Sequence, residues 1–135
     1  DLYRCGINAI GVTDQEQLLE NFANKASRFQ SWDEEPLLEW GDLSTPEGKE
    51  YAKEISPILH IENIKAPVLI LHGSNDRVVP VFHAEDLESR LKRLGKTYDA
   101  MYQAYEGHCV TGCGEQAALE YLDKQEEFLI KYLEN

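Results

Sequence analysis

The sequence predicts an α/β fold in which about three mostly parallel strands are flanked by helices. Short apolar runs alternate along the 135 residues with segments whose apolar residues recur at helical spacing, and that alternation is typical of a parallel sheet covered by helices. In addition, the run P-V-L-I-L-H at 67–72 is continuously apolar, as expected of a central strand with both faces buried. A chain of this length corresponds to one domain.

The first part of the chain predicts a strand followed by a helix. Residues 5–12 are small and apolar and read as a buried strand. Thr13 with Glu16 matches a capping box, so a helix is expected over 14–29. The apolar residues at helical spacing in this helix are Leu18, Leu19, Phe22, Ala26 and Phe29. Residues 30–45 are predicted to be irregular with short helical turns.

A second, shorter helix is predicted to begin at Thr45. Pro46 follows directly, and proline suits the first position of a helix. The helix is expected to run to about Glu54 and to end before Ser56-Pro57. Residues 58–66 then connect it to the central strand.

The last part of the chain predicts helix, strand and helix. A helix opens at Pro80 and is capped by Gly95, a strand covers 98–105, and the final helix spans about 115–133. The residues expected to face the core are Phe82, Leu87, Leu91 and Leu94 in the first of these helices, and Ala118, Leu122, Phe128, Leu129 and Tyr132 in the second.

The charge balance restricts the partners of the protein. The chain has 13 Lys and Arg against 25 Asp and Glu, a formal net charge of −12, which argues against nucleic acid and anionic membranes as partners. There is no apolar run long enough for a membrane span. Three cysteines do not make a disulfide framework and fit a reducing compartment such as the cytoplasm, although any N-terminal targeting region is expected to lie outside this chain.

Two polar segments that follow predicted strands contain the candidate catalytic residues. Asp76 and His108 each follow the end of a predicted strand, and the carboxyl ends of parallel strands lie at one edge of a sheet. An Asp that accepts from His Nδ1–H orients the imidazole, so that Nε2 can take a proton from a nucleophile. The alternative is that Asp76 only stabilises a turn and that His108 is an ordinary loop residue.

A metal site is the other chemistry that these residues suggest. His108 lies beside Cys109 and near Cys113, but the C-x₃-C pair has no second pair to complete a zinc site. No G-x-G-x-x-G or Walker pattern is present. We therefore expect neither a metal nor another cofactor.

Three segments of the sequence resemble one known family. They are A-P-V-L-I-L-H-G-S-N-D-R-V-V-P, then G-K-T-Y-D-A-M-Y-Q-A-Y-E-G-H, and the terminal helix ending F-L-I-K-Y-L. Together they resemble the C-terminal part of prolyl oligopeptidase-family serine peptidases of the dipeptidyl-peptidase and acylaminoacyl-peptidase types. The resemblance implies Asp76 as the acid of a catalytic triad, His108 as its general base and Val79 as a wall of the pocket for the substrate side chain.

One motif of that family is missing from the chain. A nucleophilic serine in G-x-S-x-G would precede the acid and the histidine, and the sequence contains no such motif. Residues 1–135 are therefore expected to be the C-terminal part of an α/β-hydrolase domain without its nucleophile half. The chain alone is predicted to be inactive, and a peptide is the expected substrate of the full-length protein.

Two alternatives to a peptidase remain open. The same fold and triad also occur in carboxylesterases, and a stand-alone half-domain could be a non-catalytic module. Without preceding strands, the strand at 5–12 would be an open apolar edge, and such edges pair with other chains. Self-association through this edge is therefore expected.

Overall fold

A computed structural model of the chain describes residues 2–26, 42–108 and 114–134. The chain divides into two units, one made of residues 1–11 and 61–135 and the other of residues 12–60. Within the described parts, no helix has both the length and the apolar character needed to cross a membrane. In chain order the elements are β1 (Gly6–Ala9), α1 (Gln15–Ala26), α2 (Pro46–Glu54), two 3-10 helices (Pro57–Leu59 and Ile61–Asn63), β2 (Val68–Gly73), α3 (Phe82–Arg93), β3 (Tyr98–Gln103) and α4 (Glu115–Leu133).

The three strands form one parallel sheet in the order β1-β2-β3. The α/β prediction is thus confirmed, with β2 at the centre. In the register of the sheet, Leu69 of β2 lies between Ile7 of β1 and Asp99 of β3. The carboxyl ends of β2 and β3 lie side by side, because Gly73 is opposite Gln103.

Helices cover both faces of β2, which explains why its sequence does not alternate. On one face a buried cluster joins the strand to α4, and its members are Leu69, Leu71, Tyr121 and Phe128. On the other face, Ile70 and His72 are completely buried. Helix α3 lies on this second face, where the hydroxyl of Tyr102 donates to Glu88 Oε2 at 2.7 Å.

The end of α3 follows the sequence prediction closely. Gly95 has a φ of +63°, which glycine tolerates without strain. Its N–H donates to the carbonyl of Lys92 at 3.1 Å, and the N–H of Lys96 donates to the carbonyl of Leu91 at 2.9 Å. These two bonds form a Schellman cap. The start of the helix differs, because α3 begins at Phe82, two residues after Pro80.

Two residues predicted to be in the core are exposed. Leu94 is the C-cap of α3 and Leu122 lies on the outer side of α4, and about half of each side chain is accessible. The residue of α4 that fills the core is instead Tyr121, one position earlier. A helix turns by about 100° per residue, so an error of one position moves a side chain to a different face.

In the unit formed by residues 12–60, one of the two predicted helix N-caps is confirmed and the other is wrong. The hydroxyl oxygen of Thr45 accepts the N–H of Gly48 at 3.0 Å, as expected at the start of α2. At the start of α1 the capping residue is Asp14, whose carboxylate accepts the N–H of Gln17 at 2.9 Å. The prediction of a Thr13–Glu16 box was therefore wrong by one residue.

The predicted strands were too long, and one predicted connection contains helical turns. The strand predicted over 5–12 ends at Ala9, and Ile10 beyond it has a φ of +55°. The strand predicted over 98–105 ends at Gln103. The connection at 58–66 contains 3-10 helical turns, while most of the irregular segment predicted at 30–45 lies outside the described residues.

Strand β1 has one partner among the described strands. The N–H groups of Gly6 and Ile10 donate to carbonyls next to and within β2, both at 2.9 Å. Because successive N–H groups of a strand alternate in direction, those of Ile7 and Ala9 point away from β2. We propose that the 1–135 chain self-associates by pairing along this edge.

A substitution at Ala9 tests this pairing. Ala9→Pro removes an outward N–H and leaves the hydrogen bonds that Gly6 and Ile10 donate towards β2 in place, so it is expected to shift the isolated chain towards monomer. Ala9→Ser keeps the N–H and should associate like the wild type. Light scattering over a concentration series measures the effect. A wild-type chain that stays monomeric at high concentration would contradict the proposal, and so would unchanged association of Ala9→Pro.

Candidate active site

Asp76 lies in the turn that follows β2, and its side chain is completely buried. Its Oδ1 accepts two backbone N–H groups, from Val78 at 2.7 Å and from Val79 at 2.9 Å. These bonds are typical of an Asp that stabilises its own turn. Asp76 therefore does stabilise its own turn, as one alternative predicted, and it uses one oxygen of its carboxylate to do so.

The second oxygen of Asp76 meets His108. Oδ2 lies 2.8 Å from Nδ1 of the imidazole, although 32 residues separate the two in sequence. The His108 side chain is 43% exposed, in contrast to the buried carboxylate. When Nδ1 carries the proton, its N–H donates to Asp76, and the lone pair of Nε2 is available to accept another proton. The structure thus brings the two predicted catalytic residues together.

Backbone hydrogen bonds join the two loops that carry these side chains. The N–H of Ser74 donates to the carbonyl of Gln103 at 3.0 Å, and the N–H of Asn75 donates to the carbonyl of Glu106 at 2.9 Å. They extend the pairing of β2 with β3 beyond the strands. The spacing between Asp76 and His108 is therefore set by the backbone.

Gly73 allows this close approach. A Cβ atom at position 73 would overlap the carbonyl oxygen of Gly107 and lie 2.6 Å from that of Glu106. By contrast, a Cβ atom at Gly107 would meet no atom within 4 Å. Glycine at the end of a strand often marks a place where another backbone comes close, and this applies to Gly73.

His72 is a second imidazole next to the carboxylate. It is completely buried, and its Nε2 donates to the carbonyl of Val79 at 2.9 Å. The same nitrogen lies 3.7 Å from Asp76 Oδ2. Because the N–H of Val79 donates to Asp76 and its carbonyl accepts from His72, both backbone polar groups of this residue are held in place.

Val79 was predicted to wall the substrate pocket. The structure places it in the turn of Asp76, with its side chain 6% exposed. Its backbone forms hydrogen bonds with the side chains of Asp76 and His72. The neighbouring Val78 is the more accessible of the two side chains, at 45%.

Tyr121 is a core residue near the site that sequence reasoning missed. Burial raises the pKa of its phenol to about 12, and the negative charges of Glu106 and Asp76 add to the shift. Its hydroxyl has no hydrogen-bond partner among the described residues. The phenol of Tyr121 therefore lies in surroundings that favour its neutral form.

The thiols considered as metal ligands lie outside the described residues, because Cys109 and Cys113 fall in the undescribed segment 109–113. In the parts of the chain that the structure describes, no three His, Cys, Asp or Glu residues form a group suited to a metal ion.

Comparison with known proteins shows the family of the chain. All of residues 1–135 match the model of the Prolyl oligopeptidase family. Dipeptidyl aminopeptidase BIII of Pseudoxanthomonas mexicana is 28% identical over 100 residues, which are 73% of this chain and 14% of that protein. The uncharacterized peptidase YtmA of Bacillus subtilis is 36% identical over 53 residues, which are 39% of this chain and 21% of that protein.

Solved structures show the same arrangement of elements. Pyrococcus horikoshii acylaminoacyl peptidase superposes with a TM-score of 0.79 at 24% identity, covering 100% of this chain and 21% of that one. An acylaminoacyl peptidase in complex with Z-Gly-Gly-Phe-chloromethyl ketone gives 0.78 at 25% identity, covering 98% of this chain and 20% of that one. The chain thus spans about a fifth of the length of these structures.

The close approach at Gly73 can be tested by a pair of substitutions. Gly73→Ala is expected to push the His108 loop away from the Asp76 loop, because the new methyl group would overlap two backbone carbonyls. The expected loss is about 1–3 kcal/mol of unfolding free energy, measured by denaturant unfolding. Gly107→Ala adds the same methyl group in open space and should change stability little. Equal stability of the two variants would contradict this account.

Proposed function

This chain belongs to the prolyl oligopeptidase family, and we propose that it is the C-terminal part of the catalytic α/β-hydrolase domain of a serine peptidase. Asp76 and His108 are the acid and the base of the triad. The observation that carries the proposal is the 2.8 Å contact between Asp76 Oδ2 and His108 Nδ1. A surface pair would not require a carboxylate that is buried and held through its other oxygen by two N–H groups.

The geometry defines the role of each group. Asp76 holds the proton on Nδ1 of His108 and stabilises the imidazolium that forms during the reaction. Nε2 takes the proton of a serine hydroxyl as its oxygen attacks the carbonyl carbon of the substrate. When the tetrahedral intermediate breaks down, His108 gives this proton to the leaving amine, and an acyl-enzyme remains. Water, activated by the same nitrogen, then releases the acid and regenerates the serine.

The serine and the oxyanion hole come from the part of the protein that precedes this chain. No G-x-S-x-G motif occurs in the 135 residues, and the oxyanion hole of this fold requires the N–H that follows the nucleophile. A base without these partners cannot carry out acyl transfer. The 1–135 chain alone is therefore inactive, and the full-length protein is the enzyme.

Peptides are the proposed substrates, and Val79 is the proposed pocket residue. The relatives that support a peptide substrate are named dipeptidyl aminopeptidase and acylaminoacyl peptidase. Val79 is held between Asp76 and His72, so its side chain has a fixed position next to the triad. A rigid apolar residue at that place suits the wall of a pocket for a substrate side chain.

Substitution of Asp76 tests the assignment in the full-length protein. Asp76→Asn keeps the size of the side chain but stabilises the wrong tautomer of His108, so kcat is expected to fall by about 10⁴-fold. Hydrolysis of an aminoacyl amide measures the effect. Asp99→Asn makes the same change at the opposite end of the sheet, where Asp99 pairs with Lys124, and should leave kcat unchanged.

The same assay separates a peptidase from an esterase of this fold. Turnover of aminoacyl amides by the wild-type protein supports the peptidase. If amides are untouched while aryl esters are hydrolysed, the esterase alternative replaces it. If Asp76→Asn retains wild-type kcat on either class of substrate, the triad assignment is wrong.

A self-associating, non-catalytic half-domain is the second candidate function. It is favoured by the outward N–H groups of Ile7 and Ala9 on the edge of β1, which have no strand partner among the described residues. The coding sequence upstream of this chain distinguishes the two candidates, because the enzyme requires an in-frame G-x-S-x-G motif and the binding module does not.

A further inference from the structure

Tyr105 has an unusual backbone conformation in the loop between β3 and His108. Its φ is +70°, and among the described residues Ile10 is the other non-glycine residue with a positive φ. This left-handed region costs about 1–2 kcal/mol for a residue with a Cβ atom, and glycine is the residue that occupies it without strain.

The loops around Tyr105 impose this conformation. Gln103 and Glu106, on either side of it, each accept a hydrogen bond from the Asp76 loop, at 3.0 and 2.9 Å. The backbone at Gly107 also packs directly against Gly73. With both ends fixed, the chain must reverse within Ala104 and Tyr105, and a glycine at position 105 would do so at lower energy.

The side chain of Tyr105 makes no contact with the described residues that would offset this strain. It is 91% exposed, and it makes no hydrogen bond or ring contact with the part of the chain that the structure describes. Exposed aromatic side chains combine a large apolar surface with few rotatable bonds, which suits them to binding. A strained residue on a functional loop that does not stabilise the fold points to a role in contacts outside it.

We propose that Tyr105 contacts the leaving-group side of a peptide substrate and favours a bulky apolar or aromatic residue there. This inference rests on the proposed function, in which His108 gives a proton to the leaving amine. The leaving group must then lie against the imidazole. Tyr105 is three residues from His108, a distance of at most about 11 Å along the chain, so the two residues lie at the same rim of the sheet.

Val78 supports the position of this subsite. It belongs to the Asp76 loop, which is hydrogen-bonded to the Tyr105 loop, and its side chain is 45% exposed. Two accessible apolar surfaces therefore lie on the two loops that carry the triad residues. A charged side chain in the leaving group would gain little from either of them.

Two substrates with the same acyl group and different leaving groups test the proposal in the full-length protein. One releases ammonia and the other releases phenylalanine amide. Tyr105→Gly is expected to lower kcat/KM for the phenylalanine amide substrate by about 3- to 10-fold, the size of an aromatic contact, and to leave the ammonia-releasing substrate unchanged. Tyr105→Phe keeps the ring and should behave like the wild type.

Thermal unfolding supplies a control for folding. Because glycine relieves the strain at φ +70°, Tyr105→Gly should unfold at the same or a higher temperature than the wild type. A selective loss on the bulky leaving group in this stable variant supports the assignment. Equal kcat/KM for wild type and Tyr105→Gly on both substrates, or an equal loss on both, overturns it.

The failure of the proposed function would look different. If the wild-type protein hydrolyses neither substrate, the peptidase proposal fails, and the role of Tyr105 fails with it. If the wild type hydrolyses both and Tyr105→Gly changes neither, the peptidase proposal stands and the assignment of Tyr105 alone is overturned.

Discussion

The carboxylate of Asp76 is the group around which the described structure is organised. One oxygen accepts two N–H groups of its own turn, and the other contacts His108 at 2.8 Å. A buried carboxylate without hydrogen bonds would cost several kcal/mol, so each of these contacts is needed to keep the group inside the protein. The contact that satisfies the second oxygen is therefore the same one that orients the histidine.

The parallel sheet makes this arrangement possible. Strands β2 and β3 are neighbours, and their carboxyl ends are in register at Gly73 and Gln103. The loops that follow the strands are then joined by backbone hydrogen bonds before either functional side chain is reached. His72 adds a further restraint, since it binds the carbonyl of Val79 from the buried face of β2.

Much of this could be predicted from the sequence because the signals were local. The unbroken apolar run of β2, the glycine after α3 and the paired breaks at Asp76 and His108 each reflect a constraint carried by a few neighbouring residues. The remaining features depend on tertiary contacts. Whether Tyr121 or Leu122 faces the core depends on the rotation of α4 against the sheet, and the strained φ of Tyr105 arises only because the loop is fixed at both ends.

The tautomer of His108 is the most direct test of the central claim that Asp76 orients this imidazole. The ¹⁵N chemical shifts of a labelled sample distinguish a proton on Nδ1 from a proton on Nε2 in the neutral ring. The contact between Nδ1 and the carboxylate oxygen at 2.8 Å predicts the Nδ1–H form. A neutral His108 that carries its proton on Nε2 would contradict it, because Nδ1 would then have no hydrogen to give to Asp76.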